Sequence, residues 1–379
     1  MATYNLHRFT RPEALKSIEP SRLIELLAPY REFFAEKAVY LPSPGGLDLI
    51  DFQGLVRVLA SPDGMPDELL DTLWRIHELS TVEAMTSFLE DADLCHEVGD
   101  DATPADVAVL VWLRDRQELE RKHAEMHLNR PRSFDYFMAE ETGGLDRIEP
   151  RPVKELEAAL DRWFIEHKRG RGCQVFDYSK KDEVWFLVRH GDPFRREGSL
   201  VDGEPSSVCY RPEKYDVLVY DGSIGELRMS ARTKGERQLY RESFGLHLFG
   251  SPGHFPGKQK YTLEPLRTDG RAATVCSDVE GLDWIKLKEI HYFWTGSFSE
   301  IETHKADDIF AVLDARGTTI PEKPRIIRAS FQVKFTRNRT PRSVAVRPPN
   351  VAQYTHDGDS ELIEQWLLNR RFIRNGGNG

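Results

Sequence analysis

In Cys173-Gln174-Val175-Phe176-Asp177-Tyr178-Ser179-Lys180-Lys181-Asp182-Glu183-Val184-Trp185-Phe186-Leu187-Val188-Arg189-His190, apolar side chains recur every second residue on either side of a polar turn, Ser179 to Asp182. A period of two belongs to a strand with one face buried, so the stretch predicts a β-hairpin. A second hairpin is predicted from Tyr215–Tyr220 and Glu226–Ala231 around Asp221-Gly222-Ser223. Upstream the period is helical. Leu23, Leu26, Leu27, Tyr30 and Phe34 fall on one face between Pro20 and about Lys37, and Pro66 to Leu94 supplies two more such patterns. Thr103-Pro104-Ala105-Asp106 opens another helix, with Thr as cap, Pro at the first helical position and Asp in the first turn; it is expected to run to about His127. A helix over Val153–His167 stops at Lys168-Arg169-Gly170-Arg171-Gly172, a basic, Gly-rich segment whose composition predicts a domain boundary.

Downstream of the second hairpin a helix is expected from about Gly235 to Leu248, and Gly250, Pro252, Gly253, Pro256 and Gly257 then break the chain. Further strands are predicted around Tyr261–Leu263, Asp283–Trp294, Arg325–Phe335 and Arg342–Val346, followed by a last helix over Ser360–Leu368. The expected fold class is α+β: an acidic, all-helical domain over 1–170, a β-hairpin-rich domain with one helix over 171–257, and a small β module with basic strands and a C-terminal helix over 258–379.

Composition narrows the class. Hydrophobic residues make up 40% and charged residues 30% of 379, and the mean hydropathy is −0.52; neither a disordered nor a membrane-embedded chain has this balance. The longest apolar run, Val107–Leu113, is far short of the ~20 residues of a membrane span, and Met1-Ala2-Thr3-Tyr4-Asn5 predicts no export signal. Cys95, Cys173, Cys209 and Cys276 form no Cys-x-x-Cys pair, which points to a reducing, cytoplasmic compartment and to no structural zinc. Residues 1–150 hold 15 Lys+Arg against 29 Asp+Glu, whereas 151–379 hold 37 against 33, so a polyanion site is expected in the back half.

Several motifs carry candidate chemistry. Val184 to Gly191 resembles the histidine-phosphatase signature, a strand ending in Arg189-His190-Gly191, in which His takes a phosphoryl group and Arg clamps its oxygens. The turn-rich Asp192 to Pro205 takes the place of the helix that should follow, so a strand-end His and Arg is the competing reading. Asp216, Glu226 and Arg228, with Gln238 and Tyr240 on the next helix, resemble the restriction-endonuclease-like pattern. That resemblance implies Asp216 and Glu226 as ligands of Mg²⁺ or Mn²⁺ and Arg228 in the place of the usual Lys. A cross-strand ion pair is the alternative. His123 and His127 stand one helical turn apart, as a zinc grip or as part of a solvated helix face. No Walker loop, Gly-x-Gly-x-x-Gly or Gly-x-Ser-x-Gly occurs.

Between Lys323 and Arg347 lie eight cations and no acid: Lys323, Arg325, Arg328, Lys334, Arg337, Arg339, Arg342 and Arg347. Such a run can neutralise several phosphates of DNA or RNA, or protect a strand edge. Tyr261-Thr262-Leu263-Glu264-Pro265-Leu266, Trp284-Ile285-Lys286-Leu287 and the layout of Arg325–Phe372 make residues 258–373 similar to WYL-domain regulatory proteins with their C-terminal extension. The resemblance implies a small β-barrel module of transcription factors and bacterial defence-associated proteins. The function expected is therefore a non-catalytic, regulatory protein that binds nucleic acid through its C-terminal half and a protein partner through its helical front, with no cofactor and no membrane. The alternatives are a metal-dependent nuclease, intact or degenerate, and a structural subunit of a larger assembly.

Overall fold

The computed structural model describes residues 5–43, 45–90, 92–99, 101–128, 131, 133–139, 145, 149–180, 183–201, 203–256, 259–354 and 360–374. The chain is α+β, with helices concentrated in its front and strands in its back, and it divides into two compact units, Met1–His127 and Leu128–Gly379. No described helix is long and apolar enough to cross a membrane.

The first unit is helical. Its main elements are α1 (Pro20–Leu27), α2 (Phe52–Leu59), α3 (Asp67–Leu79), α4 (Pro104–Arg114) and α5 (Arg116–Glu125). The helix expected over 20–37 is interrupted: Ala28–Tyr30 forms a 3-10 turn and a short helix resumes at Arg31–Glu36. Pro29 has no N–H for the helical ladder, which accounts for the break. Thr103 caps α4 as expected, its hydroxyl accepting from the Asp106 amide at 3.3 Å. The helix ends early, because Asp115 leaves the helical conformation and accepts from the amides of Gln117 and Glu118, starting α5. Asp106 is buried in α4 and holds α1 by accepting from the Arg22 guanidinium at 2.5 Å and the Glu19 amide at 2.8 Å. Removing that carboxylate would strand both donors.

The second unit is built on one ten-stranded antiparallel sheet. Its strands are β1 (Ser133–Met138), β2 (Gln174–Lys180), β3 (Glu183–Gly191), β6 (Glu213–Asp221), β7 (Glu226–Ser230), β8 (Leu282–Trp294), β9 (Glu300–Lys305), β10 (Arg325–Phe335), β11 (Arg342–Arg347) and β12 (Val351–Gln353), with β4 (Arg195–Val201) and β5 (Glu204–Tyr210) forming a separate exposed ribbon. The order across the sheet is β2-β3-β6-β7-β1-β12-β11-β10-β8-β9. Both predicted hairpins are present as β2/β3 and β6/β7, although Lys181 and Asp182 of the first turn lie outside the described residues. The strand expected at Tyr261–Leu263 is reduced to a single bridge from Tyr261 to Ile373.

The boundaries expected at 170/171 and 257/258 both fall inside this unit. The reason is β1, which pairs with β7 on one side and β12 on the other and so fuses the two expected β modules into a single sheet. One face of β2, β3, β6 and β7 is covered by α6 (Pro150–Glu166) and by α7 (Lys234–Phe249), which pack on each other. Leu156, Leu160 and Phe164 of α6 meet Phe186, Val188, Leu218, Tyr220, Tyr240 and Phe244 in that core. Burying such side chains contributes about 1.5–3 kcal/mol each, so α6 belongs to the sheet unit and not to the helical front. The Lys168–Gly172 segment is tied down rather than loose: Asp161 accepts from the Gly172 and Cys173 amides, and Arg211 donates to the Lys168 carbonyl at 2.5 Å. At the far end of the sheet, α8 (Ser360–Asn369) brings Trp366, fully buried, against Phe331 and Phe372.

Candidate functional site

Side chains along a strand alternate between the two faces of the sheet, and the register of β6 and β7 settles which candidates meet. Leu218 pairs with Met229 and Tyr220 with Leu227, all on the face under α6 and α7. Asp216 shares that parity. Glu226 and Arg228 have the opposite one: Arg228 pairs with Tyr136 and Glu226 with Met138. Because Val217 pairs with Ser230, Asp216 also lies about five residues along β7 from Glu226, or about 17 Å. The sheet itself thus separates Asp216 from Glu226 and Arg228, so the expected ligand pair Asp216–Glu226, with Arg228 in the place of the usual Lys, does not assemble.

On its own face Asp216 is buried in a cluster of ionic and polar groups. His190 of β3 and Lys214 of β6 are directly paired in register. His190 Nε2 lies 3.1 Å from Asp216 Oδ2, Lys214 Nζ lies 3.0 Å from Asp216 Oδ1, and the Tyr240 hydroxyl of α7 donates to Asp216 Oδ2 at 2.8 Å. The His190 ring is stacked on Phe164 at 4.2 Å, and its Nδ1 is 2.9 Å from the Gly191 carbonyl oxygen. Burial and the Asp216 charge together raise the Tyr240 hydroxyl far above the usual phenol range, so it remains a donor.

Glu236 completes the cluster from the first turn of α7. Its carboxylate accepts from the Thr233 amide at 2.6 Å while Thr233 Oγ1 accepts from the Glu236 amide at 3.1 Å, a capping box that begins the helix. The other carboxylate oxygen receives Lys214 at 3.0 Å and Arg169 from beyond the end of α6. Burial alone would raise this carboxyl, but Lys214, the Thr233 amide and Arg169 outweigh it and hold it at about 2. Two carboxylates are therefore balanced by two cations within the buried cluster.

The cluster borders a cleft of about 420 Å³, where Lys214 and Asp216 meet Asp135 of β1, Arg232 and Arg237 around the start of α7, and Arg347 of β11. Burial pushes the Asp135 carboxyl up, while Arg237 at 3.6 Å and Arg347 pull it down. Arg232 is 70% exposed and, among the described residues, pairs with Asp192 at 3.9 Å. Lys214 is spent on Asp216 and Glu236 and Arg237 faces Asp135, which leaves Arg232 and Arg347 as the main charge presented to the cleft. Charge of this kind, presented on a concave surface, attracts an anion.

No protein-family model matches this chain, and no curated protein is significantly similar to it.

The other face holds the rest of the nuclease-like pattern. Glu226 accepts from Lys260 at 2.5 Å, and the Lys260 ammonium sits 4.0 Å from the centre of the Tyr136 ring. Burial raises the Glu226 carboxyl, with Lys260 opposing. Arg228 donates to Glu183. These are paired groups, but their partners, Lys260 and Glu183 of β3, lie outside the β6/β7 hairpin, so the ion pair is not the cross-strand one expected. His123 is engaged as well: Nε2 lies 2.5 Å from Glu78 of α3, and its ring meets that of His127 edge-on.

The basic run does not form one surface. Arg328, Lys334 and Arg347 share a face, whereas Arg342, paired with Val333, has the opposite parity and lies over the Phe335 ring at 5.2 Å. Lys334 is used internally, donating to the Asn338 and Arg339 carbonyls and closing the turn between β10 and β11. Lys323, Arg325, Arg337, Arg339 and Arg347 are exposed. Arg347 alone of the eight lines the cleft. Reading the sequence missed Lys214, Arg232, Arg237 and Glu236; the capping pattern Thr233-Lys234-Gly235-Glu236 was the available signal for the last of these.

Proposed function

We propose that the second unit binds the phosphate backbone of DNA or RNA in the cleft bounded by Lys214, Arg232, Arg237 and Arg347, as a non-catalytic regulatory protein. The convergence of cations from β6, the start of α7 and β11 on one cleft supports this reading. Backbone phosphates are recognised by such cations without regard to base. In this reading the acidic helical unit is the protein-interaction platform, the protein works in the cytoplasm, and the likeness of residues 258–373 to WYL modules is the support for a role in bacterial defence-associated regulation.

The test is binding of labelled DNA and RNA by the full chain over a range of salt concentrations. Log affinity should fall linearly with log salt, and Arg232→Glu/Arg237→Glu/Arg347→Glu should lower the magnitude of the slope by about 2–3. Glu226→Gln, on the other face, should leave the slope unchanged. Affinity independent of salt, or a triple variant with the wild-type slope, would sink the proposal.

A further inference from the structure

The sequence offered two separate motifs, Arg189-His190-Gly191 and Asp216 with its acidic partner, and the fold joins one residue from each with a third that neither contained. His190, Asp216 and Glu236 are all buried, and each offers a ligand atom within 4.8 Å of the others. Burial of three potential metal ligands around one point is the first of three independent observations.

The second is the setting of His190. Its Nδ1 stands 2.9 Å from the Gly191 carbonyl oxygen and its Nε2 3.1 Å from Asp216 Oδ2, so the ring is held with Nε2 turned toward the two carboxylates. A backbone carbonyl on the second nitrogen is also how metal-bound histidines are commonly oriented.

The third is Lys214. Its ammonium bridges Asp216 Oδ1 and Glu236 Oε1 at 3.0 Å each, so a cation position between the two carboxylates is already occupied by the chain itself. Lys214 lines the cleft, its side chain is 20% exposed, and a flexible four-carbon stem lets the ammonium turn outward.

We propose that His190, Asp216 and Glu236 bind one divalent transition-metal ion in exchange for the Lys214 ammonium. The ion would be held by His190 Nε2 and one oxygen of each carboxylate. A nitrogen donor with two carboxylates suits Zn²⁺ or Mn²⁺, whereas Mg²⁺ favours an all-oxygen, hydrated octahedron. The exchange replaces one positive charge by two inside the cluster and releases Lys214 into the cleft, where it faces the same anion as Arg232 and Arg237. The site does not depend on the nucleic-acid reading, because the ion binds the protein alone.

Calorimetry and Mn²⁺ electron paramagnetic resonance on the full, nucleic-acid-free chain test it. One Zn²⁺ or Mn²⁺ per chain is expected, with Mg²⁺ unable to displace it. Lys214→Ala, which removes the competing cation, should bind about tenfold more tightly, and His190→Gln and Glu236→Gln should each bind at least tenfold more weakly. Circular dichroism shows whether the weakened variants are folded, and the Lys214→Ala gain cannot come from unfolding. Absence of stoichiometric binding in both wild type and Lys214→Ala, or undiminished 1:1 binding in folded His190→Gln, would overturn the proposal.

Discussion

Although they come from different strands and from two unrelated sequence motifs, His190 and Asp216 stand 3.1 Å apart, Nε2 to Oδ2, in the interior of the second unit. The antiparallel register of β3 and β6 is responsible. It pairs His190 with Lys214 and Val188 with Asp216, so His190 and Asp216 are diagonal neighbours on one face.

That geometry makes Asp216 the support of three donors. Asp216→Ala would leave the Tyr240 hydroxyl, the Lys214 ammonium and His190 without their shared acceptor, and a broken buried pair costs about 3–5 kcal/mol. Asp216→Asn keeps the shape and one acceptor oxygen and should cost less than half of that. Urea unfolding of the two variants checks the order. A cost below 1 kcal/mol for Asp216→Ala would show that the cluster contributes little to stability.

Glu236 gives the fold a defined acid sensitivity. Its carboxyl is held at about 2 in the folded chain, against about 4.3 in an unfolded one. Because the folded value is the lower, the stabilisation is fully present above about 4.5 and is lost as pH falls toward 2, amounting to about 3 kcal/mol. In Glu236→Gln the part of the acid-unfolding curve that falls between those limits should be shallower than in wild type. Equal slopes for the two proteins over that range would show that Glu236 titrates normally.

Gly191 has a packing role that its place in a phosphatase-like motif conceals. A β-carbon there would fall inside contact distance of the Arg169 backbone carbonyl and of the Arg211 side chain. The backbone carbonyl cannot move aside as a flexible side chain can, so Gly191→Ala should destabilise by about 1–3 kcal/mol, or more if the β3 end shifts. Thermal unfolding measures this. A melting temperature equal to that of wild type would show that the junction between Arg169 and Arg211 yields freely.

Local pattern made much of the second unit legible. The alternation in Cys173–Tyr178 and Val184–His190, and the turn at Asp221–Ser223, were legible because each hairpin is closed by neighbours in sequence, although Ser179 and Lys180, expected in the turn, continue β2. The strand at Ser133–Met138 gave no such signal, since both of its partners are remote, and it is this strand that makes one sheet where two modules were expected. The site was half legible. Asp216 and His190 were recognised as chemistry-bearing types, but composition cannot tell which face of a sheet a residue occupies. A strand residue shifted by one position changes face, so Asp216 meets Glu236 and never Glu226. Pro29 and Asp115, by contrast, were visible breakers whose effect on the helices was overlooked.

The placing of β1 has a consequence for the order in which the molecule is made. Asp135 faces Met229 on one side and Val351 on the other, so a strand synthesised early waits for β7 and then, far longer, for β12. Pairings of such long sequence separation form slowly. Until β12 leaves the ribosome, β1 presents a row of free amides and carbonyls to any other nascent copy. Truncation ahead of Val351 would make that transient edge permanent, so the C-terminal residues that close the sheet also protect the chain from self-association.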